Sequence, residues 1–129
     1  MTNEEFIAQN RQADVHRLAL GKTPEGIDIH FCLQQIAGMQ AAERKLPSWA
    51  NREGIIFPPK ISMEQCSSEK TALYKQQQVE RLLPENRHNM ADLTGGFGID
   101  FSYLAQLFDE ADYVERNEQL CEIARHNFD

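Results

Sequence analysis

A chain of 129 residues is long enough for one domain, or for one and a half small ones. Hydrophobic residues make up 41% of it and charged residues 26%, which is ordinary for a soluble globular protein, and no apolar run approaches the length of a membrane span. The net charge of −7 lies entirely after residue 89, where two basic residues accompany nine acidic ones, and this excess of acid does not support direct binding of RNA or DNA by these residues.

The first part of the chain, residues 1–86, predicts a helical region with three or four helices. Apolar residues recur at helical spacing in three segments, which are separated by glycine and proline. The predicted helices cover residues 3–20, residues 28–45, and a segment that begins between 62 and 69 and runs to Leu83.

Turn and cap residues set the expected ends of these helices. Thr2 begins a possible capping box, and either Ser62 or Ser68 suits the N-cap of the third helix. Residues 47–61 contain prolines and a glycine, so we expect an irregular loop there. The apolar run at 55–57 is expected to pin this loop onto the helices.

From residue 87 to 129 the periodicity changes to short apolar segments that alternate with helical ones. The order strand, glycine turn, helix, strand, helix is that of one βαβ unit with its following helix. The sequence therefore predicts an α/β fold, in which a helical subdomain precedes the incomplete start of a Rossmann-like sheet. The predicted elements are strands at 89–93 and 111–115 and helices at 101–108 and 117–127.

The stretch "MADLTGGFGIDFSYLA" places three glycines in four positions directly after the first predicted strand. Glycine permits positive φ and a close approach of the backbone to a ligand, and the following helix offers free N–H groups. The site therefore suits a nucleotide-like ligand. Glu115 ends the second strand and can accept two hydrogen bonds from ribose hydroxyls.

Three classes of ligand compete for this turn. A P-loop requires a Gly-Lys-Ser/Thr sequence, and the turn has no lysine. A dinucleotide fingerprint requires a third glycine where Phe101 stands. Asp92 beside the turn suits a ligand with an ammonium or sulfonium group better than an anionic pyrophosphate. These residues favour S-adenosylmethionine.

The segment that begins at Asp92 has the D-x-x-x-G-x-G form of the first motif of class I S-adenosylmethionine-dependent methyltransferases. "YVERN", residues 113–117, resembles the end of the second strand in that family. The longer segments "DLTGGFGIDFSYLA" and "VERNEQLCEIARHNF" resemble bacterial RNA-type methyltransferases, and "LPSWA" and "QCSSEKTALYK" resemble the helical region before the catalytic domain in those with a C-terminal THUMP-like domain.

The resemblance implies an N-terminal fragment of such an enzyme, with S-adenosylmethionine as cofactor and RNA as the substrate through regions missing here. It implies no catalytic base in this chain, which is expected to be inactive alone. It implies cofactor contacts from the following residues: Asp92, Thr94, Gly95, Gly96, Phe97, Gly98, Asp100, Glu115 and Arg116.

Plainer interpretations remain open beside this one. The glycines can form a simple turn, Glu115 can be a solvated acid, and Asp100 suits the charge preference of a first helical turn. The alternatives to a methyltransferase are an NAD- or nucleotide-binding βαβ unit, and a helical interaction module without an enzymatic role. A sheet of two parallel strands also predicts self-association through its exposed edge.

The location of the protein is predicted from what the sequence lacks. The amino terminus has neither the basic nor the apolar region of an export signal, and the three cysteines lie far apart. The four histidines have no spacing typical of ligands. We therefore expect a cytoplasmic protein with reduced thiols and no metal site.

Overall fold

A computed structural model describes residues 1–128, and they form an α/β protein with two compact units. The first unit is Met1–Met63 and the second begins at Glu64. The helices are α1 (Asn3–Gln9), α2 (Val15–Leu20), α3 (Ile29–Lys45), α4 (Pro47–Ala50), α5 (Lys60–Gln65), α6 (Glu69–Leu82), α7 (Ile99–Leu104) and α8 (Glu118–Asn127), and the strands are β1 (Asn89–Asp92) and β2 (Glu110–Tyr113).

The single helix predicted over residues 3–20 is wrong, because the chain breaks between α1 and α2. Asp14 accepts hydrogen bonds from the N–H groups of His16 and Arg17 and so starts a new helix. The Gln40 side chain of α3 donates to the carbonyls of Arg11 and Ala13 at 3.0 and 2.7 Å, which satisfies the backbone of the break. Polar side chains thus offer the backbone an alternative to continuous helix.

The core of the first unit forms where α1 and α2 pack on α3. Phe6, Cys32 and Ile36 are its buried centre, and burial raises the pKa of the Cys32 thiol with a smaller contribution from the charge of Asp28. Apolar residues from the flanking turns and helices surround this centre.

Residues 47–50 were predicted to be irregular but form the short helix α4, because proline suits the first turn of a helix. The rest of the loop before α5 is held as predicted, through Phe57. Phe57 is 2% exposed, and a Cβ atom added to Gly38 would lie only 2.3 Å from the Phe57 side chain. The buried Gln35 amide donates to the Phe57 carbonyl and accepts from the Phe57 N–H, at 3.0 and 2.7 Å. A small residue in α3 and a satisfied buried amide therefore fix the loop.

The third predicted helix is present as α6, which begins within the predicted range, and the separate short helix α5 precedes it. Ser68 is the N-cap of α6 and accepts from the Thr71 N–H at 3.2 Å, whereas Ser62 lies inside α5. The predicted strands and the last helix are present with ends shifted by one or two residues, and a short 3-10 turn follows α7.

In the second unit, β1 and β2 form a parallel sheet, the only pairing among the described residues, with Asp92 opposite Tyr113 in the register. Helix α6 packs on α7, where the Gln76 side chain donates to the Tyr103 carbonyl at 2.6 Å. The sequence-based division into domains at 86 and 87 stays a prediction, while the compact units divide before α6 because of this packing.

Candidate cofactor-binding site

The turn between β1 and α7 adopts a backbone that requires glycine. Gly96 has φ +56° and Gly98 has φ +93°, and residues other than glycine rarely adopt either value. Gly98 is also the residue that precedes α7. The turn thus reverses the chain directly from the carboxyl end of β1 into the helix.

Two of the glycines are also required by packing against aromatic rings. A Cβ on Gly95 would lie 2.2 Å from the ring of Tyr113, and a Cβ on Gly98 would lie 2.6 Å from the ring of Phe128. A Cβ on Gly96 would lie no closer than 3.8 Å to another atom, the Thr94 carbonyl oxygen, so only the backbone angle of Gly96 requires glycine. The plain interpretation of a structural turn therefore accounts for part of the motif.

Phe101 occupies the position of the third glycine of a dinucleotide fingerprint and forms a spacer beneath the turn. Its ring meets Tyr113 edge to face at a centroid distance of 5.6 Å and packs at 5.8 Å from Phe128. A glycine here would allow the close packing of helix and strand that a pyrophosphate turn uses. The packing under this turn therefore differs from that under a dinucleotide-binding turn.

Glu115 follows β2 and is hydrogen-bonded to the turn. One carboxylate oxygen accepts from the Asn117 N–H at 2.8 Å and the other from the Gly96 N–H at 2.9 Å. The bond from Asn117, then that from Gly96, lower the pKa of Glu115 against a smaller opposing effect of burial. Each oxygen keeps a second lone pair for a ligand.

Asp92 ends β1 and forms a local turn with Thr94. Its Oδ1 accepts from the Thr94 N–H at 3.0 Å, and the residue is half-buried. Its backbone carbonyl accepts from the Val114 N–H at 2.8 Å, and the Gly95 N–H donates to the Val114 carbonyl at 2.9 Å. These bonds extend the strand pairing into the turn and bring the acids of both strand ends to one edge of the sheet.

Tyr113, the last residue of β2, is hydrogen-bonded to the turn. Its hydroxyl donates to the Gly96 carbonyl. Burial raises the pKa of Tyr113 to about 12, and smaller electrostatic contributions from Cys121, Glu115 and Asp92 add to the shift. The two carboxylates therefore act on the same phenol, as expected if both lie around the turn.

Asp100, in the first turn of α7, is paired with α6. Its Oδ2 accepts from the Lys75 Nζ at 2.8 Å, and Lys75 also donates to the Ser67 hydroxyl at 3.0 Å. The Asp100 Oδ1 atom is buried and has no hydrogen-bond partner in the described part of the chain. Burial of a carboxylate oxygen without a donor is costly.

The remaining predicted contacts differ in accessibility. Thr94 is exposed, whereas Phe97 is only 2% exposed. Arg116 is exposed, and its charge adds to the lowering of the Glu115 pKa. The exposure of these residues does not test whether they contact the cofactor, so these contacts stay predictions.

The sequence did not indicate the aromatic support below the turn or the role of the segment before α6. Tyr113 and Ala111 share the covered face of β2, so the alternation along the strand was the available signal for Tyr113. Nothing in the spacing of Ser67 and Lys75 relative to Asp100 could have indicated their hydrogen bonds, because the packing of α6 on α7 brings them together.

Among residues 1–128, no helix is both long and apolar enough to cross a lipid bilayer. The same residues contain no group of three or more histidine, cysteine or acidic side chains that could hold a metal ion.

Among comparisons with known proteins, a solved structure resembles this chain. No model of a protein family matches the chain, and no curated protein does either. The chain is similar over 98% of its length to a crystal structure described as that of a "putative methyltransferase from Porphyromonas gingivalis W83", with 29% identity and a TM-score of 0.77. The chain spans 30% of the length of that protein. It therefore has a methyltransferase-like fold with the start of a Rossmann-like sheet.

Proposed function

We propose that this chain is the N-terminal part of a class I S-adenosylmethionine-dependent methyltransferase and holds the cofactor at the turn from Asp92 to Gly98. Ligands of open parallel sheets bind beyond the carboxyl ends of the strands. Asp92 faces the methionine and sugar side, and Glu115 accepts hydrogen bonds from the ribose hydroxyls. The cofactor would supply the methyl group, and this part of the protein would bind and orient it.

One observation carries the proposal: two half-buried acids lie at the ends of adjacent parallel strands, on either side of a glycine turn without a lysine. The likeness to a structure described as a methyltransferase extends along nearly the whole chain and supports it. An acid beside the turn disfavours a pyrophosphate and favours a cationic group.

Titration calorimetry with S-adenosylmethionine and with NAD tests the proposal. We expect the protein to bind the former. Asp92→Ala is expected to weaken this binding about tenfold, the effect of one charge-assisted hydrogen bond. Asp112→Ala is the matched control, because Asp112 lies on the exposed face of β2, opposite to Tyr113.

Glu115→Ala provides a second comparison, since a ribose contact is common to both ligands and its loss should weaken either one. Binding of NAD but not of S-adenosylmethionine would contradict the proposal and favour the nucleotide-binding alternative. An equal loss of affinity in Asp92→Ala and Asp112→Ala would also contradict the assigned role of Asp92.

RNA as the methyl acceptor follows from the motif resemblance, and we propose that its binding involves regions outside this chain. We also propose that the chain alone is inactive, because no general base or substrate clamp is identified in it. Transfer of a labelled methyl group from S-adenosylmethionine to RNA should be undetectable. Detectable methyl transfer by the purified 129-residue chain would contradict this.

A second candidate is a structural βαβ unit that binds no small molecule. The packing of Gly95 and Gly98 against aromatic rings favours it, as does the satisfaction of Glu115 by backbone N–H groups. It predicts no heat of binding with either ligand.

A further inference from the structure

Helix α6 carries a stripe of exposed side chains, whose members are Lys70, Tyr74, Gln77 and Arg81. They recur at intervals of four, three and four residues, which places them on one face of the helix. The packed face of α6 is marked by the buried Ala72 and by Gln76, which donates to the Tyr103 carbonyl of α7. Helical geometry places the stripe about half a turn around the axis from these two residues, so it faces away from α7.

The fold of the chain makes little use of this stripe. Tyr74 is 61% exposed. Within the described part of the chain, no hydrogen bond or ion pair involves Lys70, Tyr74 or Gln77. Arg81 donates to the Gln78 side chain of the same helix at 2.9 Å, which leaves its other N–H groups for a partner.

The charges of the stripe are both positive, and an aromatic ring lies between them. The acids of α6, Glu69 and Glu80, lie about a third of a turn or more around the helix from Tyr74. The acidic excess of the chain lies after residue 89, outside α6. The stripe extends for about 16 Å along the helix axis. It therefore offers two cations, on either side of a flat ring, to an extended anionic partner.

We propose that the α6 stripe binds a single-stranded segment of RNA. A base stacks on the Tyr74 ring, while Lys70 and Arg81 pair with backbone phosphates on either side of that base. The choice of RNA as the partner rests on the proposed function. The stripe adds to that function a substrate contact outside both matched motifs and away from the cofactor turn.

The tyrosine favours unpaired RNA over the other anionic partners. Bases in a duplex are already stacked on one another, so a ring on a helix surface can stack only on an unpaired base. An acidic peptide can pair with the two cations, but its carboxylates have no aromatic face for Tyr74. Phosphates and bases together match all of the exposed groups.

Fluorescence anisotropy with a labelled decauridylate and the 129-residue protein tests the stacking contact. We expect saturable binding. Tyr74→Ala should lower the affinity at least about fivefold, the loss of one base stacked on an aromatic ring. Tyr74→Phe is the matched control and should retain the affinity, because it keeps the ring.

The salt dependence of binding tests the two cations. Each phosphate neutralised on a single strand contributes about −0.7 to the slope of log association constant against log salt concentration. Lys70→Gln and Arg81→Gln should each flatten the slope by about 0.7. Lys22→Gln is the matched control, because Lys22 is an exposed cation in the loop after α2 and its replacement should leave the slope unchanged.

The replaced side chains are exposed, and alanine and glutamine are both favourable in a helix, so the variants are expected to fold. Circular dichroism checks this. The proposal is overturned if decauridylate does not bind, if Tyr74→Ala binds it like wild type, or if a glutamate decapeptide binds as tightly as decauridylate.

A parallel titration with S-adenosylhomocysteine separates this proposal from the proposed function. Tyr74→Ala should bind that ligand like wild type, because Tyr74 lies outside the glycine turn. If S-adenosylhomocysteine binds and the stripe variants leave RNA affinity unchanged, the stripe alone is overturned. If S-adenosylhomocysteine does not bind while the variants weaken RNA binding, the proposed cofactor site fails and the RNA contact stands.

Discussion

Glu115, the carboxylate that we propose to bind ribose, is already bound to the protein backbone at the turn. It accepts from the N–H groups of Asn117 and Gly96 and so links β2 and α8 to the glycine turn. Removal of this side chain would therefore affect the shape of the turn as well as the affinity for a ligand. Glu115→Gln separates the effects better than alanine, since an amide oxygen can retain one of the bonds.

Glu115→Gln should also change the pH dependence of stability. The folded-state pKa of Glu115 lies below the unfolded value, so the folded protein binds fewer protons. The stabilising contribution is complete above the ordinary glutamate pKa and is lost as the pH falls through the folded-state pKa. At neutral pH we expect Glu115→Gln to lower the free energy of unfolding by about 1 kcal/mol or less, given its partial exposure.

Urea unfolding from neutral pH into the acid range measures this difference. The curves for wild type and Glu115→Gln should converge as the pH falls. A constant difference across the whole range would show that protonation of Glu115 is not linked to folding.

Gly98→Ala should be strongly destabilising. A methyl group at this position meets the ring of Phe128 and must also adopt φ +93°. Gly26 has φ +81° with no atom near its absent side chain, so Gly26→Ala is a matched control with the backbone strain alone. We expect losses in unfolding free energy of about 1 kcal/mol for Gly26→Ala and about 2–4 kcal/mol for Gly98→Ala. Equal losses would contradict the packing role of Phe128.

At the scale of elements, local sequence signals predicted most helices and strands because they act within a few residues. The N-caps at Thr2 and Ser68 and the short apolar strand before the glycines belong to this kind. The break between α1 and α2 was not predicted, because the local N-cap at Asp14 was not recognised and the bonds from Gln40 come from a distant part of the chain. At the site, the motif indicated the acids and glycines, but the contacts of Tyr113 and Lys75 depend on tertiary packing.

The N-cap of α6 gives a prediction at this scale. Ser68→Ala removes the bond to the Thr71 N–H, so we expect it to lower the free energy of unfolding by about 1 kcal/mol. Ser62→Ala, inside α5, should have an effect near zero, because alanine favours a helix interior. Urea unfolding of both variants checks this. A larger effect for Ser62 would mean that it, and not Ser68, supplies the important cap.

At the scale of the whole molecule, the two-stranded sheet is small for its type. Parallel strands normally occur in larger sheets covered on both faces, and here Leu93 and Val114 beyond the strand ends are 74% and 45% exposed. Unpaired edges of this kind favour pairing with another chain. We therefore predict that the 129-residue protein self-associates.

Light scattering coupled to size-exclusion chromatography over a range of concentrations measures the self-association. The mean mass should rise above the monomer value of 14.8 kDa as the concentration increases. A constant monomer mass, with rapid amide exchange along β2, would contradict association through the sheet edge.

We propose that the turn and the two strand ends bind S-adenosylmethionine. An amide NMR titration with S-adenosylhomocysteine, the unreactive product form, tests this most directly. We expect saturable shifts concentrated at residues 92–98 and 115–117, which are lost in Asp92→Ala and retained in Asp112→Ala. Shifts confined to other parts of the chain, or no shifts at millimolar ligand, would contradict the proposed cofactor site.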